Sequence, residues 1–277
     1  MPPNNPQDWR TSTPGVWLLG SGTAQGGPTV DYTHYRSLKV EKHEGILVLS
    51  MNRPETGNII DGPFHTELEH IWLDIAQDRE VRVVVFTGIG EDFCAGADLS
   101  FVESLSSNRS QLDAVMREAA QLIRNMLKVP QPIIAAVNGD ALSLGVTMVL
   151  FCDVIVAAEN ANLADTHVKY GIVAGDGGAV IWPLLIGMAK AKEFLMTGRP
   201  VSGADAERIG LINYAVPRAQ VMGKATELAR ELASGPVKAV QGTKRSLNRA
   251  LTQRVDLILD TSLSLESETL WELGKNA

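Results

Sequence analysis

Residues Val81–Thr87 read VRVVVFT, apolar or β-branched at every position except Arg82. A strand wetted on one side alternates apolar and polar residues. An unbroken run like this suits a strand covered on both faces, as in a parallel sheet with helices above and below. Ile133–Val137 and Val154–Ala157 have the same character. Between the first two of these runs, Leu112, Val115, Met116, Ala119, Leu122, Ile123 and Met126 recur at helical spacing, and Pro130 and Pro132 end that helix. Upstream, Ser37–Glu41 and Ile46–Met51 form a hairpin around Lys42-His43-Glu44-Gly45. Asp61-Gly62-Pro63 starts a helix carrying Phe64, Leu68, Ile71, Trp72 and Ile75. Strands alternate with helices and no dinucleotide-binding fingerprint occurs, so the fold class is α/β.

Past Val201 the chain is expected to be helical, over Ala204–Arg208, Gln220–Ser234, Val237–Ala250 and Thr252–Leu273. The last helix carries Leu257, Ile258, Leu263, Leu265, Leu270, Trp271 and Leu273, more apolar surface than a lone peripheral helix hides. It must pack on the domain or on another subunit. Residues 1–33, rich in Pro, Gly, Ser, Thr, Asn and Gln, read as a flexible extension. The organisation expected is thus 1–33 extension, 34–200 core and 201–277 helical region.

The net charge of −7 argues against a nucleic-acid partner. The basic run Lys238–Arg254 reads either as a solvated helix face or as a counter-charge for a small phosphorylated ligand. Two cysteines, Cys94 and Cys152, form neither a disulfide framework nor a zinc pattern. No apolar run reaches membrane-spanning length, and Val16–Leu19 is too short for a secretory leader. A cytoplasmic protein with no metal is expected; His43, His65 and His70 lack ligand spacing.

Two glycine-bearing turns carry the chemistry. In Glu91–Leu99, Gly96 permits unusual dihedrals, Asp98 is placed to cap the next helix, and the Ala97 N–H is free to face a cleft. In Asn138–Gly145, Ser143-Leu144-Gly145 opens a short helix, whose first amides lack partners. Leu144 N–H is the natural second donor of an oxyanion hole. Ser143 reads either as a capping serine or, in the order Ser143, His167, Asp176, as an acylated nucleophile.

FCAGADL, AVNGDALSLG…CD, GIVAGDGG and TGRPVSGADAERIGLIN, in that order and spacing, resemble the crotonase (enoyl-CoA hydratase/isomerase) superfamily over about Tyr35–Ala277. The resemblance implies a spiral of ββα units, a helical C-terminal trimerisation region, and homotrimers that pair into hexamers. It implies Ala97 and Leu144 as the two amide donors to an acyl-CoA thioester carbonyl. Arg53, in Asn52-Arg53-Pro54-Glu55, would line the cleft for coenzyme A, which enters as part of the substrate, with no tightly bound cofactor. The two positions that hold a hydratase's carboxylates are Thr147 and His167. Threonine is no base near neutral pH, so a histidine–aspartate pair, His167 with Asp176 as its orienting partner, stands in for two glutamates.

That pair resembles the β-diketone hydrolases of the same fold, the 6-oxocamphor hydrolase subgroup, as do Val180-Ile181-Trp182-Pro183 and the region of Glu268. That enzyme's other site histidine corresponds to Leu144, and its site tryptophan falls near Asp61, whereas FCAGADL and NRPE are closer to CoA-using members. Glu103 and Glu118 read as surface residues. Substrate-contacting residues expected are Arg53, Gly96, Asp98, Ser143, Thr147 and Glu268. The activity expected is acyl-CoA enolate chemistry through His167, the alternatives being CoA-independent C–C hydrolysis of a diketone and a non-catalytic binding protein.

Overall fold

The structure, a computed structural model, describes residues 30–276, so nearly all of the expected extension 1–33 lies outside the described residues. The chain opens with the hairpin of β1 (Leu38–His43) and β2 (Ile46–Met51), turned by Glu44 and Gly45 at φ 51° and 80°. Both central residues at positive φ match the right-handed strand twist. Helix α1 (Gly62–Gln77) follows, its first turn held by the Asp61 carboxylate accepting from Phe64 N at 3.0 Å. Next come β3 (Val83–Gly88), α2 (Leu99–Ser107), α3 (Arg109–Lys128), β4 (Ile133–Val137), β5 (Ala141–Leu142), α4 (Leu144–Leu150), β6 (Val154–Ala158) and β7 (Asn162–Ala164). The rest is α5 (Gly178–Thr197), β8 (Val201–Ser202), α6 (Gly203–Arg208), β9 (Tyr214–Val216), α7 (Val221–Ser234) and α8 (Val237–Asn276).

One sheet has the order β1-β2-β3-β4-β6-β9, antiparallel only at the hairpin; a smaller one has the order β5-β7-β8. The fold is α/β, built from recurring strand–strand–helix units and closed by the long C-terminal helix. β3 is buried on both sides, as its composition requires. Val84 and Phe86 join the main core with α1 and α3, whereas Val83 and Val85 face Val221, Ala225, Ala229 and Ala233 of α7. Alanines four apart let that helix lie close to the sheet.

Two expectations change. Val237–Ala250 and Thr252–Leu273 are one helix, α8; no proline or glycine separates them, and Leu251 packs against the core. Helix α5 occupies a stretch where the sequence reading assigns none. It is apolar all round through Val180–Ile186, contains Pro183, and is bent at Gly187, φ 76°, which hides a helical period.

Helix α8 is anchored by a buried cation. Lys244 Nζ donates to Asp153 Oδ2 at 2.6 Å and to the Gln131 carbonyl at 2.8 Å, while Asp153 also accepts from Ile133 N at 2.7 Å. Lys244→Met leaves a half-buried carboxylate and a buried carbonyl without their partner. About 2 kcal/mol of lost stability is expected, discounted for the partial exposure of Asp153. In a thermal melt this lowers Tm by about 4–8 °C, and a Tm within about 1 °C of wild type shows that the anchor is dispensable.

Candidate active site

The site grows from the core outward. Trp72, Phe86 and Phe93 stack edge to face, with ring centroids 5.4 and 5.1 Å apart. Phe93 thereby roots the first glycine turn in the core. The buried Asn58 braces the same turn by donating to the carbonyls of Ile89 (3.0 Å) and Asp92 (2.9 Å). The second turn is laced to the first: Cys94 N donates to the Asp140 carbonyl, and Leu142 N to the Cys94 carbonyl, both at 2.9 Å. Glycines permit this approach. A Cβ on Gly139 would meet the Glu91 carbonyl oxygen at 1.9 Å, and one on Gly145 would meet the Cys94 side chain at 2.6 Å.

The two expected amides are set by local bonding. Ile60 N donates to the Gly96 carbonyl and Asp98 N to the Ile60 carbonyl, each at 2.9 Å. Such a parallel bridge uses the residues on either side of Ala97, so the Ala97 N–H points away from Ile60. Leu144 is the first residue of α4, where an amide has no partner inside the helix. Ala97 and Leu144 line one cavity of about 470 Å³, together with Gly96, Ser143, His167 and Asp176. Its far wall is apolar, formed by Phe101, Leu105, Val115, Met116, Leu270 and Leu273.

Against this cavity lies a cluster of buried charge. His167 Nδ1 is 2.7 Å from Asp165 Oδ1; its Nε2 is 3.8 Å from Asp176 Oδ2 and 4.0 Å from Glu266 Oε1. Thr147 donates to Asp176 Oδ1 at 3.0 Å. The motif GIVAGDGG is what lets these groups converge. A Cβ on Gly175 would meet Glu266 Cβ at 2.6 Å, one on Gly177 the Thr147 methyl at 2.9 Å, and one on Gly178 Asp165 Oδ2 at 2.4 Å.

Burial alone would depress the imidazole, but the carboxylates of Asp165, Asp176 and Glu266 outweigh it and hold His167 well above the usual histidine range. Burial raises Asp176, with His167 pulling it back, and pushes Glu266 up to about 8. These shifts favour the imidazolium form of His167 and the protonated form of Glu266. Asp165, His167 and Asp176 also bring one donor atom each within 4.8 Å of the others, a spacing a cation can use, though the sequence spacing pointed to no metal.

Several expected residues stand elsewhere or act differently. Asp165, not Asp176, holds His167 Nδ1; Asp176 faces the other ring nitrogen. Glu268 is exposed, and Glu266, two residues earlier on α8, enters the cavity instead. Helical periodicity separates them, since residues two apart point about 200° away from each other. Asp98 caps α2 through Phe101 N at 2.9 Å and is not among the cavity residues. Arg53 lies outside the cavity, paired with Asp61 at 2.7 Å. Thr147 is fully buried, donates to Asp176 and is not among the cavity residues. Ser143 Oγ bonds Thr166 Oγ1 at 2.6 Å, so the Ser–His contact of an acylating triad does not form; nor does Ser143 cap α4 with its side chain. His65 lines the cavity with Glu118 Oε2 at 3.1 Å from its Nδ1, a pair that sequence spacing did not reveal.

The fold and site thus define an α/β protein in which the turns bearing Ala97 and Leu144 share one cavity with a buried acid–base cluster. The family model for enoyl-CoA hydratase/isomerase matches residues 41–273. The short-chain-enoyl-CoA hydratase of Clostridium acetobutylicum is 32% identical over 84% of this chain and 87% of its own. The 1,2-epoxyphenylacetyl-CoA isomerase of Escherichia coli is also 32% identical, over 86% and 89%. Among solved structures, an enoyl-CoA hydratase/isomerase from Mycobacterium paratuberculosis superposes with TM-score 0.84 at 34% identity, covering 87% of this chain and 96% of that one. A β-diketone hydrolase from the cyanobacterium Anabaena, bound to (S)-3-oxocyclohexyl acetic acid, gives 0.82 at 31% identity, covering 87% and 97%. The chain belongs to the enoyl-CoA hydratase/isomerase family of the crotonase superfamily and is an enzyme. Among the described residues no helix is long and apolar enough to cross a membrane.

His167, Asp176 and Glu266 all hold protons more tightly folded than unfolded. Their contribution to stability is therefore complete at acidic pH and is lost as pH rises through the folded values. For Glu266 the window runs from 4.5 to about 8. Melts taken from about pH 5 to about pH 9 should show Tm falling with pH, and Glu266→Gln should flatten part of that fall. An equally steep fall in the variant removes Glu266 from the cluster.

Proposed function

We propose that this enzyme hydrolyses the bond that joins one carbonyl carbon of a 1,3-dicarbonyl compound to the carbon between the two carbonyls. The observation that carries this reading is the Asp176–His167–Glu266 cluster, which faces the same cavity as the Ala97 and Leu144 amides while a buried threonine occupies the first glutamate position. Syn-hydration of an enoyl thioester asks for two carboxylates around one water, and Thr147 supplies none.

One substrate carbonyl binds the amides of Ala97 and Leu144. Water beside Asp176 attacks the other carbonyl carbon, and Asp176 takes the proton; its raised pKa makes it a stronger base than an exposed aspartate. The imidazolium of His167 faces the tetrahedral oxyanion, a role that differs from the general base expected from sequence. The C–C bond then breaks, its electron pair passes into an enolate held by the two amides, and the Glu266 proton goes to the enolate carbon. A carboxylic acid and a ketone form, on one molecule when the diketone is cyclic, accounting for the water consumed, and the proton taken by Asp176 passes to Glu266 past the His167 ring that lies between them, which resets the site. Asp165 fixes the ring and sustains its charge.

The second reading keeps the same carbonyl site for an acyl-CoA thioester. The family match and the names of the relatives support it. Against it, among the described residues no Lys or Arg lines the cavity, and Arg53, the family's expected CoA contact, is engaged by Asp61. Assembly into trimers or hexamers, proposed from the resemblance, would cover Met188, Leu247 and Leu257, each more than half exposed in the isolated chain.

Acetylacetone, 1,3-cyclohexanedione and acetoacetyl-CoA separate the readings. Loss of diketone ultraviolet absorbance is expected, with kcat falling as pH rises through about 8, where Glu266 loses its proton. Asp176→Asn and His167→Ala should each lower kcat by about 10³-fold or more. Turnover of acetoacetyl-CoA with inert diketones establishes the thioester reading instead. Unchanged kcat in both variants removes the cluster from the chemistry.

A further inference from the structure

We propose that the Ser143 hydroxyl is a third hydrogen-bond donor to the carbonyl oxygen bound by Ala97 and Leu144, with Thr166 behind it. The inference rests on the carbonyl-binding part of the reading above and adds a residue to it. Ser143 precedes Leu144 directly, so its side chain leaves the main chain one residue before the second amide. An ideal Cβ on Gly96 would lie 3.9 Å from Ser143 Oγ, so the hydroxyl also sits in contact range of the residue before Ala97. It is therefore flanked by both amide-bearing turns and lines the cavity they share.

The hydroxyl has one partner, Thr166 Oγ1 at 2.6 Å. Each hydroxyl carries a single hydrogen, so that bond uses one of the two and leaves the other for the cavity. Ser143 is the member beside both amides. With Thr166 donating to Ser143, the free hydrogen belongs to Ser143, and a hydroxyl that accepts one bond donates more strongly in the next. Thr166 also precedes His167, so this pair joins the carbonyl-binding turns to the charged cluster. Capping does not account for the residue, because no amide of α4 donates to its side chain. Acylation does not fit either, since His167 Nδ1 is held by Asp165 and Ser143 bonds Thr166 instead. Its backbone, at φ 50° and ψ −124°, suits glycine better than serine.

The test uses Ser143→Ala and Ser143→Gly, with 1,3-cyclohexanedione, a readily enolised diketone, as the probe. Both variants remove the donor, but only glycine relaxes the backbone. The probe should bind each variant about tenfold or more weakly by calorimetry, and kcat on any diketone the wild type cleaves should fall about 10²-fold. Ser143→Gly should melt at or above the wild-type temperature, which separates loss of the donor from loss of the fold. Thr166→Val, which leaves Ser143 unsupported, should fall between wild type and Ser143→Ala. Equal probe affinity in wild type and both Ser143 variants overturns the proposal. Serine-dependent binding without diketone turnover supports the donor while refuting the hydrolytic reading. If the wild type does not bind the probe, the carbonyl site and its third donor fall together.

Discussion

Everything the site does depends on the main-chain contact at Cys94. Its amide reaches the Asp140 carbonyl and its carbonyl receives the Leu142 amide, so two turns separated by more than forty residues are fixed at backbone distance. Side-chain contacts would leave such turns free to slide by an ångström; a two-bond bridge between carbonyls and amides does not. The contact exists only because Gly139 and Gly145 carry no side chain, and because Phe93 and Asn58 hold the first turn against the core. The two turns are thus preorganised by packing far from them, and in the proposed reaction no group needs to reorient when charge develops on the bound oxygen.

The charged cluster solves a different problem. Three carboxylates and one imidazole sit almost out of solvent, and among the described residues no Lys or Arg lines the cavity. Such a group is tolerable only if protons neutralise part of the charge. The imidazolium and the Glu266 proton supply that neutralisation, and they are also the groups that the proposed reaction uses. Burial that costs folding stability therefore displaces the pKa values within the cluster, which is how a site comes to hold a proton donor and an acceptor side by side. The buried oxygens Asp176 Oδ2 and Glu266 Oε2, which accept no hydrogen bond from a side chain, express the same tension.

How much of this the amino-acid sequence reveals depends on the range of the interaction. The doubly buried strand, the hairpin, the two glycine turns and His167 with Asp176 are legible because each is a local pattern. Asp165 lies two residues from His167, and its role was legible in principle: a D-x-H spacing lets one carboxylate oxygen meet both the backbone and ring nitrogens of the histidine, at 3.3 and 2.7 Å. Glu266 was not legible. Choosing it over Glu268 requires the rotation of α8 about its axis, which is fixed by tertiary packing of Leu259, Leu263 and Leu270. The His65–Glu118 pair is hidden for the same reason, since α1 and α3 meet only in the folded chain.

Thr147 shows why these departures from a two-glutamate site come as a set. Its hydroxyl donates to Asp176, and its methyl fills the space that Gly177 leaves open. A glutamate there would place a fourth carboxylate against Asp176, with a single imidazole to offset the group. Repulsion at that range in a buried site exceeds what one imidazolium returns. A carboxylate at position 147 and a carboxylate at position 176 are therefore competing solutions to one electrostatic constraint. Choosing the second calls for a small donor at the first. In the proposed hydrolysis, that choice also moves the base from the helix of Thr147 to the loop of Asp176, from which an attacking water would reach a carbonyl carbon instead of a conjugated double bond.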